Sequence, residues 1–315
     1  ASGASLGVTD SSANILIGGA GVSKATAITL SGQSNTVTVA ESLTLVAKPS
    51  FSLATNATLE VTGSAADLLL AANATGVNKA TKVTLTETSN SLNAANAALL
   101  VAKKGFNIGS GATLVVTDSA TNLLAATAAP ILTVADANTS SVSVKLMGAN
   151  TITAAQAAKF AGTNYTLYSG ASLIIADTAA NILAANSNGR SLATAFSVTG
   201  TVTAAQATAL AALSNYALLT GTTLTISDTA ANIVGVASTI LTKANISISG
   251  TLTAAQATTL ANYALKPGTT LTISDTAANI ASGANSAGVV KASAFNIIGN
   301  ASAADATTLA GKANF

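Results

Sequence analysis

The stretch LTISDTAANI at residues 271–280 recurs along this chain and is the main guide to its fold. The earlier copies read LTISDTAANI, LIIADTAANI, LVVTDSATNL, LEVTGSAADL and LGVTDSSANI. The six copies begin at Leu6, Leu59, Leu114, Leu173, Leu224 and Leu271. Self-similarity at a roughly constant period of about 50 residues is typical of a repeat array. We therefore divide the chain into six repeats, with approximate boundaries at 1–53, 54–108, 109–167, 168–218, 219–265 and 266–315.

The first half of each repeat combines a strand pattern with a short helix pattern. Leu224 and Ile226 alternate with polar residues, which is the period of a strand with one buried face. The Asp that follows predicts a short helix capped by its carboxylate. An Asn recurs four residues after this Asp, and we expect these Asn side chains to form a hydrogen-bonded ladder from repeat to repeat. A second strand pattern comes next, as at Ile246 and Ile248.

The second half of each repeat carries the clearest local signal. A Thr-x-x-Gln pattern predicts a capping box, in which the two side chains bond to each other's backbone N–H groups at a helix start. It occurs at Thr153/Gln156, Thr203/Gln206 and Thr253/Gln256, with variants at Thr38/Glu41, Asn93/Asn96 and Ser302/Asp305. A Leu or Phe seven residues after each cap lies two turns further along the same helix face. An aromatic residue follows in every repeat, and we expect these rings to form a column across repeats.

These patterns together predict a repeat solenoid. More specifically, they indicate a β-solenoid with short helices, and so of partly α/β character. Its six units are expected to stack through parallel strand pairing in a single elongated domain that covers residues 1–315.

Composition excludes several classes of function. The chain has 13 basic and 11 acidic residues, a net charge of +2 and no basic stripe, so we expect no nucleic-acid partner. No apolar run approaches the length of a membrane-spanning helix. There is no His and no Cys, which removes the commonest general base and the usual zinc ligands. We therefore expect no enzymatic activity and no catalytic or cofactor-binding residues.

Calcium is the one cofactor that the sequence leaves open. The candidate ligands are Asp118, Asp177, Asp228 and Asp275, one in each of four repeats. A calcium ion takes six to eight oxygen ligands, whereas one isolated carboxylate per repeat supplies few of them. Helix capping explains these aspartates better than metal binding does.

Two motifs carry a resemblance to a known sequence type. The DTAANI strings at Asp177–Ile182, Asp228–Ile233 and Asp275–Ile280, together with TVTAAQAT around Thr203 and TLTAAQAT around Thr253, resemble the repeats of very large bacterial surface and secreted proteins. These include adhesin-like and S-layer-like products of type I secretion. The resemblance implies an extracellular, β-rich, repetitive body with a structural or adhesive role, and it implies no catalytic residues.

The two ends of the chain read like the two sides of an internal junction. Residues 2–5 match the SGAS segment at 169–172, and Phe315 matches Tyr165. This indicates either chains that stack head to tail or an excerpt from a longer array. For head-to-tail assembly, the candidate residues are Ser2, Gly3, Leu6, Phe295, Leu309 and Phe315.

We therefore expect an extracellular, secreted structural protein that self-assembles head to tail into a filament, a sheath or a surface layer of identical chains. The alternative is a stalk or repeat segment of a large bacterial adhesin, with glycan or surface binding left open. A polysaccharide-active β-helix enzyme is a third candidate, and a cleft with non-repeated carboxylates would favour it.

Overall fold

A computed structural model of the chain describes residues 4–160, 162 and 164–315. The strands are β1 (Gly7–Asp10), β2 (Ala27–Leu30), β3 (Thr36–Thr38), β4 (Ser52–Leu53), β5 (Glu60–Gly63), β6 (Lys82–Leu85), β7 (Asn90–Leu92), β8 (Asn107–Ile108), β9 (Leu114–Asp118), β10 (Val142–Leu146), β11 (Ala149–Ile152), β12 (Tyr165–Leu167), β13 (Ser172–Thr178), β14 (Ala195–Thr199), β15 (Leu224–Thr229), β16 (Ala244–Ser249), β17 (Thr272–Thr276) and β18 (Ala294–Ile298).

Short helices separate these strands. The helices are α1 (Ser12–Ile17), α2 (Ala20–Lys24), α3 (Val39–Val46), α4 (Ala65–Leu69), α5 (Ala74–Val77), α6 (Ala94–Val101), α7 (Ala120–Leu124), α8 (Ala129–Ala137), α9 (Ala154–Ala157), α10 (Ala179–Ala184), α11 (Ser187–Ser191), α12 (Ala204–Ala211), α13 (Ala230–Val234), α14 (Ser238–Leu241), α15 (Ala254–Leu260), α16 (Ala277–Ala281), α17 (Ser286–Val289) and α18 (Ala303–Ala310). Two 3₁₀ turns lie at Ala71–Asn73 and Gly283–Asn285.

The structure is an α/β fold, and the expectation of a β-solenoid is wrong. The strands are short and are divided among six separate parallel sheets of two to four strands, with 18 helices between them over the described residues. Ala-rich segments that follow Ser or Thr caps fold as helices, because Ala is the strongest helix former. These helices end each strand after a few residues. Parallel pairing, which the sequence did indicate, is present between the first and second strand of each repeat.

By their contacts, the residues form two compact units. The first comprises 1–150 and 159–172, and the second comprises 151–158 and 173–315. In the first unit the sheet orders are β1-β2-β4, β3-β5-β6-β8 and β12-β10-β9-β7. In the second they are β11-β13-β14, β15-β16 and β17-β18. The six repeat boundaries stay predictions, and the repeats are numbered one to six below.

Each repeat has one helix more than the sequence indicated. The missed helices are α2, α5, α8, α11, α14 and α17, which precede the second strand of each repeat and are called linking helices below. Their sequences differ widely, and most have no side-chain cap at their N-terminus. No shared cap therefore marked them as helices. They provide part of the crossover that parallel strands require.

The predicted capping boxes are confirmed at four helices. At α12, Thr203 Oγ1 accepts from the N–H of Gln206, and Gln206 Oε1 accepts from the N–H of Thr203, at 3.1 and 3.0 Å. The same reciprocal pairs begin α3, α9 and α15. We call α3, α6, α9, α12, α15 and α18 the anchor helices, because the apolar residue seven positions after each cap is buried. These residues are Leu45, Leu100, Phe160, Leu210, Leu260 and Leu309.

The expected column of aromatic rings does not form among the described residues. Tyr216 stacks on Phe196 of its own repeat, with 6.4 Å between ring centroids. Phe315 likewise contacts Phe295 of its own repeat. The equivalent strands of successive repeats belong to separate sheets, so strand pairing does not bring their aromatic residues together.

Candidate functional site

Four of the five contacts between successive repeats are built around an Asp of the following repeat, and Gly63 stands at this position in the second repeat. The first N–H of an anchor helix donates to Oδ2 of the Asp in the following repeat, at 3.0 Å in every case. The pairs are Ala94 with Asp118, Ala154 with Asp177, Ala204 with Asp228 and Ala254 with Asp275. The carboxylate thus meets the positive end of a helix dipole and satisfies an N–H that has no partner within its own helix.

The other oxygen of each Asp bonds within its own repeat. Oδ1 of Asp228 accepts from the N–H of Thr229 and from Nδ2 of Asn232, at 2.8 and 2.7 Å. Thr229, not Asp228, is the N-cap of α13 and accepts from the N–H of Asn232. The predicted Asp cap is therefore wrong by one residue. The predicted Asn ladder is also wrong, because each Asn amide is used by the Asp of its own repeat.

These hydrogen bonds stabilise the charged form of Asp177, Asp228 and Asp275. The pKa of Asp177 lies below its usual value, mainly because Asn181 and the N–H of Thr178 donate to the carboxylate. Bonds from Asn232 and from the N–H of Ala204 lower the pKa of Asp228 in the same way. Burial pushes the pKa of Asp275 upward, but its bonds outweigh this and leave the pKa lowered.

The calcium candidates Asp118, Asp177, Asp228 and Asp275 are all used in this arrangement. Their carboxylate oxygens face N–H donors, which occupy the positions that a cation would take. Over residues 4–160, 162 and 164–315, no group of three or more Asp, Glu, His or Cys side chains is arranged to hold a metal ion.

Close helix packing is the second component of the repeat contact. Gly76, Gly189 and Gly288 lie in linking helices and touch the anchor helix of the preceding repeat. Their neighbours there are Ser42, Ala157 and Ala257, each four residues after its cap. A Cβ at any of the three glycines would overlap the facing helix. The glycines therefore permit an approach that no other residue allows.

The sixth repeat presents this contact face without a cover. In repeats two to five, the anchor-helix residues one and four positions after the cap are buried Ala residues, such as Ala254 and Ala257. The equivalent residues of α18, Ala303 and Ala306, are exposed. Phe295 of β18 is half-buried, whereas Phe196 at the same position of repeat four is fully buried. We call Phe295, Ala303 and Ala306 the sixth-repeat face.

The first repeat presents the complementary side without a cover. Leu6 of the first strand pattern is 41% exposed, whereas its equivalents Leu59 and Leu114 are fully buried. Val8 is half-buried, and Gly21 of α2 is exposed, with open space around it. We call Leu6, Val8, Asp10 and Gly21 the first-repeat face.

The six residues that the sequence suggests for head-to-tail assembly are not all available for it. Leu6 and Phe295 belong to the two faces, and Phe315 is 61% exposed beside Phe295. Leu309 is buried within its own repeat and offers no surface. Ser2 and Gly3 lie outside the described residues. Gly21, Ala303 and Ala306 were not predicted from the sequence. Alignment of the repeats on the anchor-helix caps would mark Ala303 and Ala306, and alignment on Thr26 and its equivalents would mark Gly21.

One cavity bears on the enzyme alternative. It has a volume of about 540 Å³, lies in the first unit beside Gly63, and is lined in part by Asp67 and Glu87, two acidic residues that are not repeated. Asp67 accepts a hydrogen bond from the Ser64 hydroxyl, at 2.8 Å, at the start of α4. One of the two acids therefore already has a helix-capping role. The cavity gives no basis for a catalytic assignment.

Comparison with family models, with curated proteins and with solved structures found no match to this chain. Within the described ranges, none of the helices has the length and hydrophobicity that a membrane crossing requires. The sixth-repeat face and the first-repeat face are therefore the features of this protein that point to a function.

Proposed function

We propose that this protein is a non-enzymatic structural protein whose copies join head to tail, with the sixth-repeat face of one copy on the first-repeat face of the next. The observation that carries the proposal is the exposure of Ala303 and Ala306 at positions that are buried in repeats two to five. These positions are small and apolar because they pack against a following repeat. A second copy supplies a surface of that kind.

The second copy is favoured over other partners because the contact already exists inside the chain. Anchor helix α15 packs against α16, α17 and β17 of the repeat that follows it. The first repeat contains the equivalent elements α1, α2 and β1. Strand β1 pairs with β2 on one side, and over the described part of the chain no strand pairs with its other edge, whereas β5 and β9 are paired there with β3 and β7 of the preceding repeat. Such an edge favours pairing with another chain.

Repeated contacts of this kind extend an assembly, because a head-to-tail interface that does not close on itself continues indefinitely. We propose a filament, a sheath or a surface layer as the product. The extracellular location is part of the proposal and rests on the resemblance of the DTAANI and TLTAAQAT strings to surface and secreted repeat proteins.

The test is the association state of the purified 315-residue chain. Sedimentation velocity and negative-stain electron microscopy over rising protein concentration should show linear assemblies of 30.3 kDa subunits. A chain that stays monomeric at every concentration overturns the proposal. It would favour the alternative, in which further repeats of a longer adhesin chain cover the same face.

A matched pair of variants tests whether α18 forms the contact between copies. Ala306→Lys puts a charge at a position buried in repeats one to five, where the residue is Ala or Ser. Ala304→Lys puts the same charge two residues away, at a position exposed in every repeat. We expect the first variant to prevent assembly and the second to leave it unchanged. Equal behaviour of the two variants would contradict assembly through α18.

A further inference from the structure

Glycine occupies one position of the linking helix in four of the six repeats. Gly21, Gly76, Gly189 and Gly288 each stand five residues before the Thr or Ser whose hydroxyl bonds to the backbone of the first strand pattern. In a helix, Gly is less stable than Ala by about 1 kcal/mol. A glycine kept at this position therefore indicates close packing.

Three of these glycines have the contact that explains them. Gly76, Gly189 and Gly288 are buried against the anchor helix of the preceding repeat. Gly21 differs, because a Cβ added to it would meet nothing within 4 Å. Among the residues that the structure describes, none therefore packs closely enough against position 21 to require a glycine there.

From this difference we infer that Gly21 of one copy packs against Ala306 of a second copy and sets the register of the junction. The inference rests on the proposed head-to-tail assembly and names the residues that position it. Ala306 stands four residues after the cap of α18, as Ser42, Ala157 and Ala257 do in their anchor helices. It is exposed, so the backbone of a linking helix can approach it.

The alignment of repeats that places Gly21 against Ala306 also matches two pairs of hydrogen-bonding groups. Asp10 is equivalent to Asp275, whose Oδ2 accepts from the first N–H of α15, and Ala303 carries the equivalent N–H of α18. Lys24 is equivalent to Lys291, whose ammonium group donates to the carbonyl of Ala261 after α15, and Ala310 is the matching residue of α18. One superposition of repeats therefore brings three pairs together: Gly21 with Ala306, Asp10 with Ala303 and Lys24 with Ala310.

The decisive variant is Gly21→Gln. Within one chain the added side chain meets open space, and Gln is a better helix former than Gly, so the variant should fold at least as well as the wild type. At the junction, the side chain would hold the two helices apart. We expect assembly to require at least a tenfold higher protein concentration. Gly235→Gln is the matched control. Gly235 is also exposed and also has a right-handed helical backbone conformation, but it lies in an inner repeat.

A second measurement tests proximity directly. The chain contains no Cys, so Lys24→Cys and Ala310→Cys can be made as separate single-thiol proteins. After mixing, a short thiol-to-thiol cross-linker should join one variant to the other. A control mixture of Lys24→Cys with Ala304→Cys should give much less product.

The outcomes separate this inference from the proposed function. If the wild-type chain does not assemble, the proposed function fails and the inference fails with it. If the wild-type chain assembles and Gly21→Gln assembles equally well, the inference is wrong and the proposed function stands. Cross-linking no stronger than in the control mixture likewise overturns the register while leaving assembly intact.

Discussion

Ala254 donates its backbone N–H to Oδ2 of Asp275, with 3.0 Å between the two atoms. This single bond joins the start of α15 to the repeat that follows it. The same Asp holds Asn279 and the N–H of Thr276 through its other oxygen. One carboxylate therefore fixes the ends of two helices relative to each other, and the chain uses this arrangement four times.

Removing that carboxylate should destabilise the second unit. We expect Asp275→Ala to lower the free energy of unfolding by about 1 kcal/mol, as the loss of a helix cap does. Urea denaturation followed by circular dichroism measures the change. Thr251→Ala, an exposed substitution in the same unit, should change stability by less than about 0.5 kcal/mol. An equal loss in the two variants would argue against a special role for the carboxylate.

Stability should fall in acid for the same reason. The pKa values of Asp177, Asp228 and Asp275 are lower in the folded chain than the unfolded value of about 3.9. Their contribution is therefore complete above about pH 4 and is lost as the pH falls through the lower, folded values. We expect a thermal midpoint that is level between about pH 5 and pH 7 and declines below about pH 4. The chain has no His that would titrate between those limits.

The triple variant Asp177→Asn, Asp228→Asn, Asp275→Asn provides the control for this acid effect. It should be less stable than the wild type at pH 7, and its thermal midpoint should depend less on pH below pH 4. If the thermal midpoint of the triple variant depends on pH below pH 4 as steeply as that of the wild type, other carboxylates are responsible for the effect.

The capping box of α12 should stabilise the folded chain through the hydrogen bond that the Thr203 hydroxyl accepts. Thr203→Ala removes the acceptor for the N–H of Gln206 and should cost about 1 kcal/mol of stability. Thr203→Ser keeps a hydroxyl at the cap and should cost much less. Denaturation midpoints of the two variants, measured side by side, test this. Similar losses in both would point to the lost methyl group instead of the hydrogen bond.

Burial separates two equivalent aromatic residues. Phe196 is fully buried, so Phe196→Ala should lower the free energy of unfolding by about 3–5 kcal/mol. Phe295 at the same position of repeat six is half-buried, and Phe295→Ala should cost the monomer clearly less. Under assembling conditions, Phe295→Ala should also weaken association. Equal costs in dilute monomer would contradict the difference in burial.

The parts of the fold that follow from neighbouring residues were predictable. Thr253 and Gln256 are three residues apart, and their capping box depends only on local backbone geometry. The alternation of Leu224 and Ile226 likewise identified a strand with one buried face. The linking helices were not predicted because their sequences share neither an N-terminal cap nor a helical period of apolar residues.

The hydrogen-bond partners of polar side chains were harder to predict than the helices and strands. The sequence predicts that Asp228 caps α13, but Asp228 stands one residue before the cap, and its Oδ2 accepts from a helix that begins 24 residues before it in the chain. Asn232 was expected to bond across repeats, but its Asp lies closer within its own repeat. Such choices depend on distances between elements, which a repeat pattern does not contain.

The sequence by itself determined the repeat, its strands, its capped helices and the parallel sense of strand pairing, because each of these follows from side chains within a few positions of one another. Only the tertiary structure decided that the strands separate into six small sheets and that Gly21 and Ala306 lack the cover their equivalents have. These features depend on which surfaces of distant segments meet, and burial is a property of the folded chain as a whole.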